Sequence, residues 1–595
     1  MKITRAIIHN FRNLKDVDVR LDNLIALVGE NNSGKSNFLK ALSLPLSPED
    51  SQGGKSLSWF DINNDAKADF YTFIEQHVDD FVNKRVNAED LEPLIPNVTI
   101  TVEFQGEETD SFDLKDLLAR DDERTFVPRI SYRWSVKNVS DLLERIATLL
   151  ASANEVRTMR ISLLPMELFH YEIVVPDGDC SRRVPYEVLS RFKYALLPAE
   201  RDSFAASSNR LGSHALISLL QDKMDPIGQR DIERGYGDFL DTIRKSAKLD
   251  EILNWQDYTE TPGAQDFFKE ISVLPNMPPM SSILGSIRLG YDDETLATQG
   301  LGLRNLILMA VLLNSYLANA GNLSLRVVGV EEPEAHLCVN NVLLMASLFK
   351  AFGRRDSRTQ LIYTTHDSEL INKVGLDRVI VLHHGSALNL ADELDGKQLD
   401  YLSRNPNTDV FKMLFSHRLV LVEGITEELL IKSYLQTRPE LDDIKVLAFH
   451  KGYQDIIRIW KTVNCGSDNK LGIVRDYDNQ QKAKDAHDAL ADEQVCIMTT
   501  ENYTLETDIV STGDNYALLK ERYGSKYGWD GMSQDDLQED WRKRHKTDVM
   551  MDICHDLVDG AIPTFVMPTH IQGVLSFLQE PLLQPMHVQG TTDED

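Results

Sequence analysis

The segment GENNSGKS, Gly29 to Ser36, sets two glycines, a lysine and a hydroxyl at the spacing G-x-x-x-x-G-K-[ST], between the apolar run LIALV and the helix-like NFLKALSL. That pattern suits polyphosphate. Backbone N–H groups of a loop that opens a helix surround the phosphates, the lysine reaches the β and γ oxygens, and the hydroxyl reaches Mg²⁺. Gly29, Asn32, Gly34, Lys35, Ser36 and Asn37 are therefore expected around bound ATP. A second run, LRVVGVEEPEAHL, is apolar and ends in paired acids. Glu331 is placed to hold the magnesium ion, directly or through water, and Glu332 to orient or deprotonate an attacking water. In LIYTTHDSEL, His366 ends another apolar run, where an imidazole either contacts a γ-phosphate or is an ordinary turn histidine.

A separate set of acids lies in the last third of the chain. RLVLVEGITEE delivers Glu423 to the tip of an apolar strand, with Glu427 close behind, and LGIVRDYD ends a second strand in Asp476 and Asp478. Neighbouring strands of a parallel sheet present their carboxyl ends at one edge, so these acids are expected to converge. Hard oxygen donors of this type suit Mg²⁺ or Mn²⁺.

Periodicity shows which elements must position these groups. KITRAIIHNF, KDVDVRL and the continuous apolar LIALVG read as strands, and a helix follows the last directly. Between about 98 and 175, strand-like pieces such as NVTITVEF and RISYRWSV accompany one helical piece, SDLLERIATLLASA. YALLPAERD reads as a further strand, and residues 204–285 as a mostly helical insertion. Strands and helices then alternate through SLRVVGVEEPE, QLIYTTHD and RVIVLHHG, and the rhythm restarts near 417 with HRLVLVEG, IKVLAFH, LGIVRDYD and EQVCIMTT. Such alternation implies an α/β fold with largely parallel sheets. The expected division is 1–203 and 286–400 for the nucleotide domain, 204–285 for the insertion, 415–510 for the second α/β unit, and 511–595 for a helical extension with a polar tail, QGTTDED.

Composition narrows the setting. A net charge of -30 argues against a broad nonspecific grip on nucleic acid, because phosphate affinity comes from lysine and arginine. Two local basic runs remain, FGRRDSR (352–358) and WRKRHK (541–546), each also explicable as a solvated helix face. The five cysteines show no CxxC or CxxH spacing, so no disulfide framework or zinc site is expected. With no signal-like start and no apolar run of ~18 residues, the expected setting is the cytoplasm, away from membranes.

NFRNL (10–14), the phosphate loop, TQGLG (298–302), EEPEAHL and TTHD occur in the order found in ABC-type ATPases of the SMC and DNA-repair group, which this part of the chain resembles. The resemblance implies that Gln299, Gly300 and Gly302 close on ATP across a dimer, that His366 is the switch residue, and that 204–285 carries dimerisation. Glu331 departs from it, since that group usually has aspartate there, which favours ATP as a regulator over ATP as fuel. The hhhhEG and DxD pattern of the second unit resembles the Toprim fold. An ATPase fused ahead of a Toprim unit is similar to the overcoming-lysogenization-defect (OLD) nuclease family, which includes the nuclease subunit of Gabija systems and retron-associated effectors. That resemblance implies Glu423, Asp476 and Asp478 as catalytic metal-holding acids with Glu427 beside them. It further implies Glu506 and Asp508, in YTLETDI, as second-metal acids, and Lys546, in RKRHKTDVM, as the essential lysine. The implied activity is ATP-regulated cleavage of DNA with Mg²⁺ or Mn²⁺ in antiphage defence, by a homodimer or higher homo-oligomer, with a helicase or a reverse transcriptase and retron RNA as candidate partners. Two other readings are a DNA-repair clamp whose Toprim unit binds without cutting, and an RNA-directed nuclease. His450 and Lys451 are candidates for a phosphate contact or a solvated turn.

Overall fold

The computed structural model describes residues 1–46, 55–106, 110, 114–120, 126–152, 156–177, 180–199, 211–247, 278–292, 294–318, 323–355, 359–404, 409–449 and 453–580. His450, Lys451, the QGTTDED tail and much of the expected insertion lie outside them.

Strand β1 (Lys2–Phe11) buries Ile3, Ala6, Ile8 and Phe11, and β2 (Leu14–Arg20) buries Leu14, Val17 and Val19. Both keep polar residues on the opposite face. The two form an antiparallel hairpin, whereas β3 (Leu24–Val28) is buried throughout and joins a different sheet. Helix α1 (Lys35–Leu46) follows the phosphate loop. Strands β4 (Val98–Gln105), β5 (Leu118–Arg120), β6 (Phe126–Val136), β7 (Phe169–Asp177) and β8 (Cys180–Arg183) extend the first hairpin into an antiparallel sheet of order β2-β1-β4-β6-β7-β8, with β5 on β6. The strand-like pieces between 98 and 175 thus build an antiparallel lobe together with β1 and β2. Parallel pairing needs long crossovers, and the short connections here permit the antiparallel alternative.

The nucleotide sheet takes β3, β9 (Phe192–Leu197), β10 (Leu325–Glu331), β11 (Thr359–Thr364), β12 (Val379–His383) and β13 (Ser386–Asn389), in the order β13-β12-β3-β11-β10-β9. Only the β12–β13 hairpin is antiparallel. Ile25 and Leu27 pack with α1 and the antiparallel lobe, while Leu24, Ala26 and Val28 pack on the other side. Coverage on both faces is why LIALV is apolar without alternation. Helix α2 (Leu301–Ala318) precedes β10.

The second unit is a four-stranded, fully parallel sheet. Its strands β14 (Arg418–Val422), β15 (Lys445–Ala448), β16 (Lys470–Arg475) and β17 (Val495–Thr499) lie in the order β15-β14-β16-β17. Helices α3 (Ile425–Gln436) and α4 (Tyr453–Asn464) make its first two crossovers, and the helix Gln481–Asp488 lies in the third. Along β14, Leu419 and Leu421 share a core with Leu24, Val28 and Val381 of the nucleotide sheet and with Trp460 of α4. Val420 and Val422 face a third core instead. The two α/β units are therefore fused through packed apolar surface. Helix α5 (Leu505–Ser511) closes the second unit, and the expected helical extension follows, including α6 (Gln534–Arg544), α7 (Lys546–Val558) and α8 (Thr569–Gln579). It buries Trp529 and Trp541 in that third core. No described helix is long and apolar enough to cross a membrane.

Helix α8 lies flush on β16 because position 472 is glycine: a Cβ there would stand 2.3 Å from Val574 Cγ1. Gly472→Ala is expected to cost about 1–3 kcal/mol of stability through overpacking. Adding Val574→Ala should recover part of that loss although Val574→Ala alone is destabilising, a non-additivity that urea denaturation of the two single variants and the double variant measures.

Candidate functional site

Strand β3 runs directly into the phosphate loop, which turns through left-handed backbone at Asn32 (φ 66) and Gly34 (φ 107). Glycine is needed at 34 on two counts, since a Cβ would also meet Leu14 Cδ2 at 2.6 Å. Lys35 is buried, and its ammonium donates to the carbonyls of Gly29 at 2.9 Å and Glu30 at 2.8 Å. Burial pushes its pKa down to about 8, against the opposing pull of Glu332, Glu334 and Glu30. Ser36 is exposed at the loop mouth.

Asn37 is locked from the β1–β2 turn. Arg12 donates to Asn37 Oδ1 at 2.8 Å and to Asp61 Oδ1 at 2.8 Å, and Asn37 Nδ2 donates to Asn13 Oδ1 at 2.7 Å. A cavity of about 650 Å³ opens beside this network, lined by Arg12, Lys15, Asn32, Phe60 and Asn64 among others. Polar donors with one exposed ring suit a nucleoside next to the phosphate loop. Arg12 and Asn13 stand in NFRNL, but nothing in that segment points to these contacts, because their partners lie 19 to 49 residues away.

Strand β10 ends at Glu331, in register with Thr364 of β11. The next residue, Glu332, takes φ 40, and its N–H donates to Thr364 O and Oγ1, each at 3.1 Å. His366 Nε2 stands 3.9 Å from Glu332 Oε1. Burial and then the charge of Lys35 push that imidazole below its ordinary value, which keeps it neutral at pH 7. Glu334, which sequence reading passed over although it stands inside EEPEAHL, accepts from Thr365 Oγ1 at 2.7 Å and His366 N–H at 2.8 Å and so fixes the end of β11. Gln299 instead donates to Glu294 Oε2 at 3.0 Å, and Gly300 precedes α2. Gly302 lies so close to the chain that a Cβ would be 2.5 Å from His336 O. Among the described residues no hydrogen bond joins this segment to the phosphate loop.

At the far end of the second sheet the acids do converge in part. β14 and β16 pair in parallel, Val422 against Val474, so Glu423 and Asp476 emerge side by side, and Asp476 N–H donates to Glu423 Oε2 at 3.1 Å. The Asp476 carboxyl accepts from Leu505 N–H at 3.1 Å. Glu427, on the first turn of α3, is 3% exposed, and burial raises its pKa. Glu506, at the start of α5, is fully buried; Lys546 Nζ stands 3.0 Å from its Oε1, and its Oε2 accepts no hydrogen bond. Burial alone would lower the Lys546 pKa, but Glu506, Glu427 and Asp476 together hold it above the ordinary lysine value.

Two expected members stand apart. Asp478 sits in a left-handed turn (φ 47) whose N–H donates to Tyr503 O at 3.2 Å, and its own side chain makes no described hydrogen bond. Asp508 is drawn away from the group. Residues i and i+2 on a helix point to different faces, so YTLETDI divides: Glu506 turns to Lys546, while Asp508 accepts from Glu501 N–H, Asn502 N–H and Asn502 Nδ2, each at 2.8 Å, and meets His570 Nδ1 at 3.1 Å. Burial would raise the Asp508 carboxyl, but His570 and these donors outweigh it and hold it below the ordinary value.

The donor chemistry fits a hard divalent cation. Glu423, Glu427 and Glu506 are oxygen donors gathered around Asp476, with the ammonium of Lys546 among them, and Glu506 retains an unsatisfied buried oxygen. Among the described residues, no three or more His, Cys, Asp or Glu side chains are already arranged as a ligand set.

Burial first, then the charges of Glu427, Glu506 and Glu423, push Asp476 up to about 8. The folded chain therefore keeps a proton that an unfolded aspartate, titrating near ~3.9, has lost. Stability carried by Asp476 falls as pH rises between about 4 and 8, by at most about 1.4 kcal/mol per pH unit, and the penalty is complete above that window. In EDTA, Asp476→Asn should gain on the natural protein in thermal unfolding temperature as pH is raised from 5 to 8. A gap independent of pH would show that Asp476 does not titrate there.

Comparison with known proteins places the front of the chain. The family model described as AAA ATPase domain matches residues 1–154 and 190–371, more than half of the chain. Endonuclease GajA of Bacillus cereus strain HuB5-5 is 26% identical over 227 residues, covering 32% of this chain and 33% of that protein. Endonuclease GajA of strain VD045 is 23% identical over 450 residues, covering 74% of this chain and 69% of its own length. The chain thus spans about a third of the first relative and about two thirds of the second. Among solved structures, the SMC head domain from Thermotoga maritima is 13% identical, with 65% of this chain and 97% of that one covered and a TM-score of 0.30. A Smc head domain bound to the C-terminal domain of ScpA, derived from Pyrococcus furiosus, is 15% identical, with 66% and 97% covered and a TM-score of 0.30. With its phosphate loop between β3 and α1 and the paired acids at the end of β10, the chain belongs to the AAA ATPase domain family.

Proposed function

We propose that this protein is an ATP-regulated, divalent-metal-dependent DNA endonuclease of the OLD type, with a Toprim-type second unit, acting in defence against phage. The observation that carries the reading is the hydrogen bond between Asp476 N–H and the Glu423 carboxylate at the carboxyl edge of a parallel sheet, with Glu427, Glu506 and Lys546 around it. The distant similarity to two proteins named Endonuclease GajA supports it.

Glu423 and Asp476 would hold Mg²⁺ or Mn²⁺, with Glu427 and Glu506 behind and Asp478 at the turn. When bound, such ions lower the pKa of a water and offset charge on the leaving oxygen. Lys546, kept protonated by its acidic neighbours, is suited to neutralise charge that develops on the phosphate. At the front site, the loop N–H groups and Lys35 take the phosphates of ATP, Ser36 and Glu331 its magnesium ion, and Glu332 and His366 the γ-phosphate end. Gln299, Gly300 and Gly302 would be supplied by a second copy of the chain.

Regulation has a physical route. A cavity of about 550 Å³ separates the phosphate loop, at Asn31 and Asn32, from His417, Asn464 and Asn469 of the second unit. β14 and β16 begin at this cleft, where Lys470 N–H donates to His417 O at 2.8 Å, and they end at Glu423 and Asp476. Seating a nucleotide in the loop therefore acts on the near ends of the two strands that carry the acids.

Supercoiled plasmid incubated with Mg²⁺ or Mn²⁺ should be nicked or linearised, and Glu423→Gln or Asp476→Asn should reduce the rate on the order of 10²–10³-fold. ATP should change the rate for the natural protein and not for Lys35→Ala. Cleavage that survives both acid substitutions would overturn the metal-centre reading. Equal rates with ATP, with ADP and without nucleotide would overturn the regulation, and RNA cut in place of DNA would change the substrate.

A further inference from the structure

Beside the acids stands a side-chain pair that this reading leaves unused. Tyr503 is 37% exposed, and the turn that carries it is stitched to the acidic centre. Tyr477 N–H donates to Thr500 Oγ1 at 2.8 Å, Asp478 N–H to Tyr503 O at 3.2 Å, and Leu505 N–H to Asp476 Oδ1 at 3.1 Å. Asp508 holds the same turn from behind through the Glu501 and Asn502 N–H groups. An aromatic ring on such a fixed turn loses little freedom when something stacks on it.

The guanidinium of Arg542 lies 5.2 Å from the centre of the Tyr503 ring. Helix α6 ends in three cations, Arg542, Lys543 and Arg544. Lys543 pairs with Glu539 and Arg544 with Asp540, whereas among the described residues no ion pair engages Arg542. Lys546, four residues on, already reaches Glu506. One stretch of chain therefore supplies a cation inside the acidic centre and another at its rim, over an exposed ring.

We propose that Tyr503 and Arg542 form a strand-positioning platform. The ring stacks on a base of a locally unpaired DNA strand next to the phosphate to be cut, and Arg542 holds an adjacent phosphate. The proposal rests on the endonuclease reading of the acidic centre. The chemistry favours a strand over an intact duplex because the chain, at net charge -30, cannot rely on charge alone to hold phosphate against its own carboxylates. Stacking on an aromatic ring supplies affinity without charge and without base identity, but only an unpaired base exposes its face. The substrate class is DNA with a frayed or single-stranded nucleotide at the cleavage point, read by shape and not by sequence.

The test uses the full chain in Ca²⁺, with an oligonucleotide duplex that opens into a single-stranded flap carrying 2-aminopurine at successive positions across the junction, and a fully paired duplex as control. The natural protein should quench the fluorescence of one nucleotide at the junction. Tyr503→Ala should abolish that quenching and weaken flap binding about 10- to 100-fold, with less than about a twofold change on paired duplex. Tyr503→Phe should restore both signals, which separates stacking from a folding defect. Arg542→Gln should weaken flap binding while leaving the quenched position unchanged. If Tyr503→Ala binds the flap within about twofold of the natural protein, and both cut plasmid in Mn²⁺, the platform is wrong and the endonuclease reading stands. If the natural protein neither binds nor cuts DNA of either kind, both fall together.

Discussion

Parallel pairing of β14 with β16 is the constraint on which the acidic centre depends. With Val422 held against Val474, the two strands leave the sheet within one residue of each other, and the first residue beyond each strand is an acid. The Asp476 N–H then has the Glu423 carboxylate as its acceptor. A one-residue slip would turn every side chain of β16 to the other face. It would also remove Gly472 from Val574, where no larger residue fits. Packing of α8 on one face and of α4 on the other thus holds the register that brings the acids together.

The resulting centre is electrostatically expensive. Several carboxylates share one small, partly dry volume, and one ammonium does not balance them. Asp476 answers by holding its proton up to about 8, and Lys546 by holding its own above the ordinary value. Such displaced titrations are common where a fold stores unbalanced charge for chemistry. The surrounding structure tolerates the imbalance because the flanking turns are overdetermined: Asp508, Thr500 and Tyr503 each tie the loop after β17 to its neighbours.

The phosphate loop and the acidic centre belong to one packed body. Leu24 and Val28 of β3 share a core with Leu419 and Leu471, the residues that anchor the near ends of β14 and β16. Interiors packed to this density transmit displacement and do not absorb it. That continuity is the packing on which the proposed coupling of the two sites relies, and the cleft of about 550 Å³ between Asn32 and His417 lies between them.

How much of this was legible in the residues follows from distance along the chain. The phosphate loop is contiguous, so its eight residues, with an apolar strand before and a helix after, determined its conformation and its chemistry. The strands bearing Glu331, Glu423 and Asp476 were equally legible, because strands covered on both faces are apolar throughout and their acidic ends break the pattern. The tertiary structure alone decided the rest. It made the pieces between 98 and 175 an antiparallel lobe, brought Lys546 to Glu506 across 40 residues, and withdrew Asp508 toward His570. Pairing, partner choice and side-chain direction at these places depend on contacts between segments far apart in sequence. Local propensity and spacing carry no information about which segment arrives.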